Sequence, residues 1–397
     1  MNDDTRTTLP DVNEDKIFSH KFISVALINF FTFLSFNMTT TGLPVYLSSV
    51  LNTTPFVAGL STTLITITAL LIRPFCGIIM DHVGRKRVLL ISIVIMMVSI
   101  IAYGLFAIVG IILFWRLVHG TGWGLSTTVT STIIADIVPK KRFAEAIGYF
   151  SLTISLAIAI APALSVFLLQ HVGIGPVVIV AGSASIITLI LSIILKDASP
   201  PKSIVKKKLE FSDFIDKRAL LPSGLMFLVS TSFASVATFV ALHAKEVGVE
   251  DVYFYFIVYS VVTIISRPIV GRIIDRKGFF MPCILATLSV MISLTIISFS
   301  TNIWGFCIGG IFGGLGIGTN MGALQTMSVA SVAPERRGVA TSTYLVALDA
   351  GFGMGAFLGG IIATAIGYAH MYLTVTILPL IVIIIFISIG KKRIDTY

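Results

Sequence analysis

The chain has 397 residues, 56% of them hydrophobic and 12% charged, about half the charged share of an ordinary soluble domain. With a mean hydropathy of +0.99 it lacks the residues for a charged outer shell. That excludes a soluble enzyme, a nucleic-acid-binding module and a disordered chain, although the formal charge is +9.

Residues 1–21 form a polar tail holding Asp3, Asp4, Asp11, Glu14 and Asp15, and no small-residue cleavage site follows a short apolar run. No cleaved signal peptide is expected. Apolar runs long enough to cross a bilayer then follow at about 22–47, 54–80, 88–109, 111–137, 143–169 and 174–195. A polar stretch at 196–218, with Pro200, Pro201 and Lys206 to Lys208, reads as a linker lying near anionic headgroups. Six more runs come at about 219–242, 252–275, 280–300, 303–333, 338–366 and 370–390, and 391–397 is a tail. The predicted fold class is an all-α integral membrane protein of twelve transmembrane helices in two six-helix bundles, 22–195 and 219–390. With both termini on one side, 24 of the 28 Lys and Arg fall on that side, three lie within spans (Arg73, Arg116, Arg267) and Lys245 lies opposite. The bias towards basic cytoplasmic loops therefore predicts cytoplasmic termini. Cys76, Cys283 and Cys307 are scattered, so neither a disulfide framework nor a zinc site is expected.

The halves repeat. Arg73-Pro74 through Gly77, Asp81 and Gly84 recurs as Arg267-Pro268 through Gly271, Asp275 and Gly278 at an offset of 194, and Pro139-Lys140-Lys141-Arg142 parallels Pro334-Glu335-Arg336-Arg337. A duplicated six-span unit is common among transporters, whose site lies near the midplane between the halves, and a channel built from repeats remains the alternative. Within the first copy, Gly77 permits close approach of a neighbouring helix, Asp81 shares its face one turn on, Gly84 supplies the turn, and Arg85 to Arg87 anchor the loop among headgroups.

Gly77-x-x-x-Asp81-x-x-Gly84-Arg85-Lys86-Arg87 resembles the loop 2–3 signature of the major facilitator superfamily. Arg116-Leu117-Val118-His119-Gly120-Thr121-Gly122 resembles its span 4 motif, R-x-x-Q-G-x-G, with His119 in place of Gln. Gly148, Ala157, Ala161, Pro162 and Ser165 follow the spacing of the span 5 motif of its twelve-span drug:proton antiporters, with Ala or Ser in place of most glycines. The resemblance covers essentially the whole chain. It implies a gating role for Gly77, Asp81, Gly84, Arg85 and Arg87 and for their echoes Gly271, Asp275 and Gly278, and a bend in span 5 at Pro162.

Of the 19 acids, Asp349 alone falls in the interior of a span, since Asp136, Glu145 and Asp275 sit at span ends beside the loops. A charged acid at mid-membrane is costly, so it needs a partner, a wet cavity or a proton. Asp349 is the candidate proton-coupling or substrate residue, with a structural contact between helices as the alternative. Arg116 and His119 lie one turn apart on span 4 and are further candidates, each with a structural alternative. Span 1 has no acid and offers Asn29, Asn37 and Thr39 to Thr41 instead. Arg73 and Arg267 each precede a proline near a span end, and snorkelling accounts for them without a ligand role. Glycines crowd residues 309–318 and 351–360, as at close helix crossings. No phosphate-cradling loop, metal cluster, paired carboxylates or nucleophile elbow occurs, so neither a cofactor nor enzymatic activity is expected.

These features point to a monomeric secondary transporter in the cell membrane. It would exchange protons for small organic molecules outward, with proton symport for uptake as the alternative and a channel as a remoter one. Its partners are a small-molecule substrate, protons and lipid, with no nucleic acid.

Overall fold

The structure, a computed structural model, describes residues 17–138, 142–195, 216–333 and 336–394, except for the side chains of 143–145, 147, 148, 268, 275, 392 and 393. The tail up to residue 16, residues 139–141 and 334–335 of the loop echo, most of the linker (196–215) and the Asp275 side chain lie outside the described residues.

Each apolar run but the last becomes one long helix, because a backbone in hydrocarbon must satisfy its hydrogen bonds within itself. The first half holds α1 (His20–Ser49), α2 (Pro55–Val83), α3 (Arg85–Leu105), α4 (Val109–Ile137), α5 (Phe143–His171) and α6 (Ile174–Ile194). A 3-10 turn, Lys217–Ala219, leads into α7 (Leu220–Glu246), α8 (Tyr253–Lys277), α9 (Phe280–Phe299), α10 (Ile303–Ala330), α11 (Arg337–Val375) and α12 (Ile377–Ile389), followed by the short α13 (Lys391–Ile394). The ends follow local chemistry. The Ser19 side chain accepts from the Phe22 amide at 3.2 Å, Asn302 caps α10, and Pro55 opens α2.

Ten stretches are long and apolar enough to cross a membrane. One of them, Arg337–Ile389, runs 53 residues, and Gly367 bends it at φ 82° so that it crosses twice. The remaining crossing is α4, 29 residues with a polar centre around Arg116 and His119. The last crossing differs from the single run expected at 370–390: it begins inside α11, after Gly367, and breaks between Val375 and Ile377.

Side chains are sorted inside out relative to a soluble protein. Leu71, Ile194 and Trp304 are 63%, 69% and 74% exposed on the lipid-facing side, while Ser, Thr and Gly fill the helix crossings. Hydroxyls cap carbonyls of neighbouring helices: Ser35 on Ala181, Ser165 on Met38, Ser293 on Gly309 and Ser235 on Gly355. A Cβ at Gly355 would collide with the Thr231 carbonyl, and one at Gly314 with the Tyr259 carbonyl, so close crossings require these glycines.

The loops fall on two faces. Arg85, Arg87, Arg142, Arg218, Arg276, Arg337 and Lys391 share one, the basic face; the turns at Asn52, Gly173, Gly248 and Gly367 share the other. Away from the basic face the bundles share one core, which includes Leu43, Tyr46 and Leu47 of α1 and Phe239, Val240 and Ala244 of α7. Nearer the basic face, the first bundle has a separate core around Phe22, Met80, Leu89 and Ile133, which no residue of the second bundle joins among the described residues.

Candidate functional site

Two helix pairs form most of the interface between the bundles, beside the packing of α1 on α7. Along α2 and α11 contact begins at the face opposite the basic one, where the Phe56 amide donates to Thr364 Oγ1 at 3.0 Å and the Phe56 and Phe357 rings meet edge to face. It continues inward where a Cβ on Gly59 or Gly353 would collide with Ala356 or Thr66, and Thr63 Oγ1 donates to the Gly353 carbonyl at 3.1 Å. It ends at an ion pair. Arg73 donates from Nε at 2.9 Å and Nη2 at 2.5 Å to Asp349 Oδ2, while its Nη1 reaches Thr128 at 3.4 Å. These two charged side chains are 9% and 11% exposed.

The α5–α8 pair has the same plan. Phe167 and His171 pack on Tyr253 at the outer end, and Ser260 Oγ donates to the Ala159 carbonyl at 2.8 Å midway. At the inner end Arg267 Nη1 donates to Ser155 Oγ. Among the described residues, no hydrogen bond or ion pair joins the bundles nearer the basic face than these two arginine contacts. Between the helix pairs lies a small cavity lined by Asn37, Thr40 and Thr41 of α1, Ile158 and Pro162 of α5, Phe233, Val236 and Ala237 of α7, Tyr255, Phe256 and Tyr259 of α8, and Phe352 of α11.

The family model described as Major Facilitator Superfamily matches residues 25–292 and 223–394. The chain belongs to this superfamily. It is similar to the MFS-type transporter YhhS of Escherichia coli (strain K12), 23% identical over 384 residues, covering 94% of this chain and 93% of that one. It is also similar to the staphylopine export protein of Staphylococcus aureus (strain Mu50 / ATCC 700699), 24% identical over 358 residues, covering 86% and 89%. Among solved structures, a bacterial homolog of the human lysosomal transporter Spinster, in an inward-facing and unoccupied conformation, aligns with a TM-score of 0.74 at 16% identity, covering 94% and 97%. The nucleoside transporter NupG aligns at 0.70 and 12% identity, covering 93% and 99%. The chain is thus a small-molecule membrane transporter and not an enzyme.

The transporter's geometry corrects two expectations. Asp349 is inside the membrane but not isolated: Arg73, 276 residues away in sequence, pairs with it across the bundle interface. Nor do Arg73 and Arg267 snorkel outward. Both turn inward to the opposite bundle, because α2 lies against α11 and α5 against α8.

Arg116 and His119 are fully buried, but inside the first bundle and apart from the Asp349 pair. Arg116 Nε donates to the Ser61 carbonyl at 2.7 Å, its carbon lies 6.0 Å from the Tyr103 ring centre, and both Nη atoms lack acceptors. His119 Nδ1 meets the Tyr103 hydroxyl at 3.1 Å, and the Phe36 ring packs edge-on to it before stacking on Trp123 at 3.6 Å. Asn29 donates to Thr153 Oγ1 at 3.0 Å, tying α1 to α5, and Asn37 donates to the Phe33 carbonyl at 2.8 Å beside the cavity.

In the loop 2–3 motif, Gly77 and Asp81 occupy the last turns of α2 and are exposed, and Gly84 ends the helix at φ 92°. No neighbour stands within 4 Å of a Cβ built on Gly77 or Gly271, so the close approach expected at Gly77 is not made in this state. Arg85 pairs with Asp136 at the end of α4, and Arg87 is exposed. Gly278 repeats the Gly84 turn at φ 77°. Sequence reasoning passed over Arg73, Ser155 and Arg267 as site residues. The offset held the signal: Arg73 and Arg267 are 194 residues apart, as are Ser155 and Asp349.

Proposed function

We propose that the transporter is a proton-driven exporter of small organic molecules, working as a monomer in the cell membrane with its basic face and both termini in the cytoplasm. Two six-helix bundles, 22–195 and 219–390, joined by the cytoplasmic linker 196–218 between the short tails, rock about the midplane site. On this reading the described state is closed to the outside and faces inward.

The observation that carries the reading is the Arg73–Asp349 pair, which joins the bundles at the inner end of their contact. A carboxylate so placed exchanges two partners. Charged, it binds the guanidinium and ties α2 to α11. Protonated, it loses the charge-assisted bonds and frees Arg73. Proton release towards the basic face therefore re-forms the pair and yields the state described, ready to load cargo. Proton uptake from the far side, in the opposite state where Asp349 stands away from Arg73, neutralises the carboxylate and lets the emptied bundles return. The relative named for staphylopine export supports the outward direction. The exposed Gly77, Asp81 and Arg87 would close the basic face in the opposite state, and Pro162 would give α5 a bending point beside the cavity.

The test is transport in proteoliposomes with an imposed pH gradient. Asp349→Asn should retain folding and lose gradient-driven efflux, while undiminished proton-driven exchange in that variant would refute the coupling role. One observation favours proton-coupled uptake instead: Ala157, Ala161 and Ser165 stand where the antiporter motif has glycines, and Ser165 is fixed to the Met38 carbonyl. Reversing the gradient distinguishes the two, since a symporter accumulates substrate on the side to which protons flow.

A further inference from the structure

Arg267 holds in α8 the place that Arg73 holds in α2, but its acid is missing. Asp349, opposite Arg73, corresponds at the same offset to Ser155, opposite Arg267, and α5 and α11 begin at residues 143 and 337 with that spacing too. The two inner contacts are therefore related by the repeat, one charged on both sides and one charged on a single side. Arg267 donates one Nη to Ser155, has no carboxylate partner among the described residues, and keeps a buried Nε without an acceptor.

Two turns further along α8, Tyr259 opens the aromatic end of the midplane cavity. Its ring stacks on Phe233 with centres 5.9 Å apart, and Phe233 in turn meets Phe352 at 5.9 Å. Arg267 and Tyr259 are eight residues apart, about 12 Å along a helix. The guanidinium and a small aromatic molecule together span that distance.

We propose that the cargo is an aromatic organic carboxylate. Its carboxylate pairs with Arg267 as Asp349 pairs with Arg73, and its ring lies against Phe233 and Tyr259. This names the substrate class of the transporter proposed above and rests on that reading. It also supplies a reason for tight exchange. Closing the basic face shuts α5 and α8 over this level, and burying a guanidinium with no counter-charge is costly. The empty carrier is therefore held back from closing, and the cargo's own charge removes the obstacle.

The experiment measures binding to the purified full-length transporter at one pH with no gradient, so its outcome is independent of coupling and direction. Matched probes are benzoate with benzamide and indole-3-acetate with indole-3-acetamide, read by thermal shift and by equilibrium binding. Each acid should bind roughly tenfold or more tightly than its amide, the scale of one charge-assisted pair. Arg267→Gln should abolish that preference, and Arg267→Lys should restore part of it. Ser155→Asp removes no native charge and supplies the missing acid, so it should raise the melting temperature and weaken acid binding roughly tenfold. Amides that bind wild type as well as the acids, absence of binding by both acids, or an acid preference that survives Ser155→Asp and Arg267→Gln would each overturn the proposal. Loss of proton-driven transport in Asp349→Asn would leave it standing, and retention of that transport would leave the binding result unchanged.

Discussion

The α2–α11 and α5–α8 contacts share geometry, depth and an inward-turned arginine, and they differ in what faces it: the Asp349 carboxylate in one, the Ser155 hydroxyl in the other. The first is internally neutral and stable without help. The second has a hydroxyl and no carboxylate opposite its arginine among the described residues. The repeat thus presents one frame twice, with Asp349 facing the arginine in one copy and Ser155 in the other.

Removing the cation from the complete pair tests this contrast most severely. Arg73→Met leaves Asp349 unpaired and is expected to lower stability by about 3–5 kcal/mol, as for other broken buried pairs, with thermal unfolding in detergent as the measurement. The double variant Arg73→Met with Asp349→Leu should recover most of that stability and none of the proton-driven transport. Crowding the close approach above the pair comes next. Gly353→Leu forces a side chain against Thr66 and should cost roughly 1–3 kcal/mol, and cross-linking of cysteines placed at Phe56 and Thr364 should fall as the outer closure loosens. Ser155→Ala removes only a neutral acceptor and should cost about 1 kcal/mol. A loss as large as that of Arg73→Met would show the two contacts to be equivalent and break the comparison.

The smallest effect lies outside the membrane. Asp216 accepts from the Arg218 amide at 3.0 Å and from Arg336, and these, the backbone bond foremost, hold its carboxyl below the usual range. A depressed native pKa lends stability that is complete above the unfolded value, near 4, and is lost as pH falls through the native value. Arg336 is 42% exposed, so solvent screens the pair and the contribution is modest. Asp216→Asn should therefore melt slightly below wild type at neutral pH, with the two curves converging as pH drops below about 4.

The spans were legible because crossing a bilayer is a local demand. A run of apolar residues meets it alone, and α1, α5, α6 and α9 begin and end within a few residues of the hydropathy breaks. Gly84 and Gly278 were legible as turns for the same reason: positive φ is a property of the residue itself. The last crossing was less so, since hydropathy does not register a break at Thr376 within an apolar run. Asp349 could be singled out by sequence because charge is scarce in lipid. Its partner could not, for nothing within reach along α11 shows that a residue 276 positions away lies opposite.

What the sequence determined by itself, then, was the count of crossings, the basic face, the repeat and the one acid within the membrane, all of which follow from the local contest between apolar side chains, charge and lipid. Only the tertiary structure decided that Arg73 and Arg267 turn inward, that Arg116 and His119 belong to the interior of one bundle, and that Asp349 meets Arg73 while Arg267 meets Ser155. Those outcomes depend on which helix faces press together, and between distant helices close packing at Gly59, Gly353 and Gly355 sets that choice.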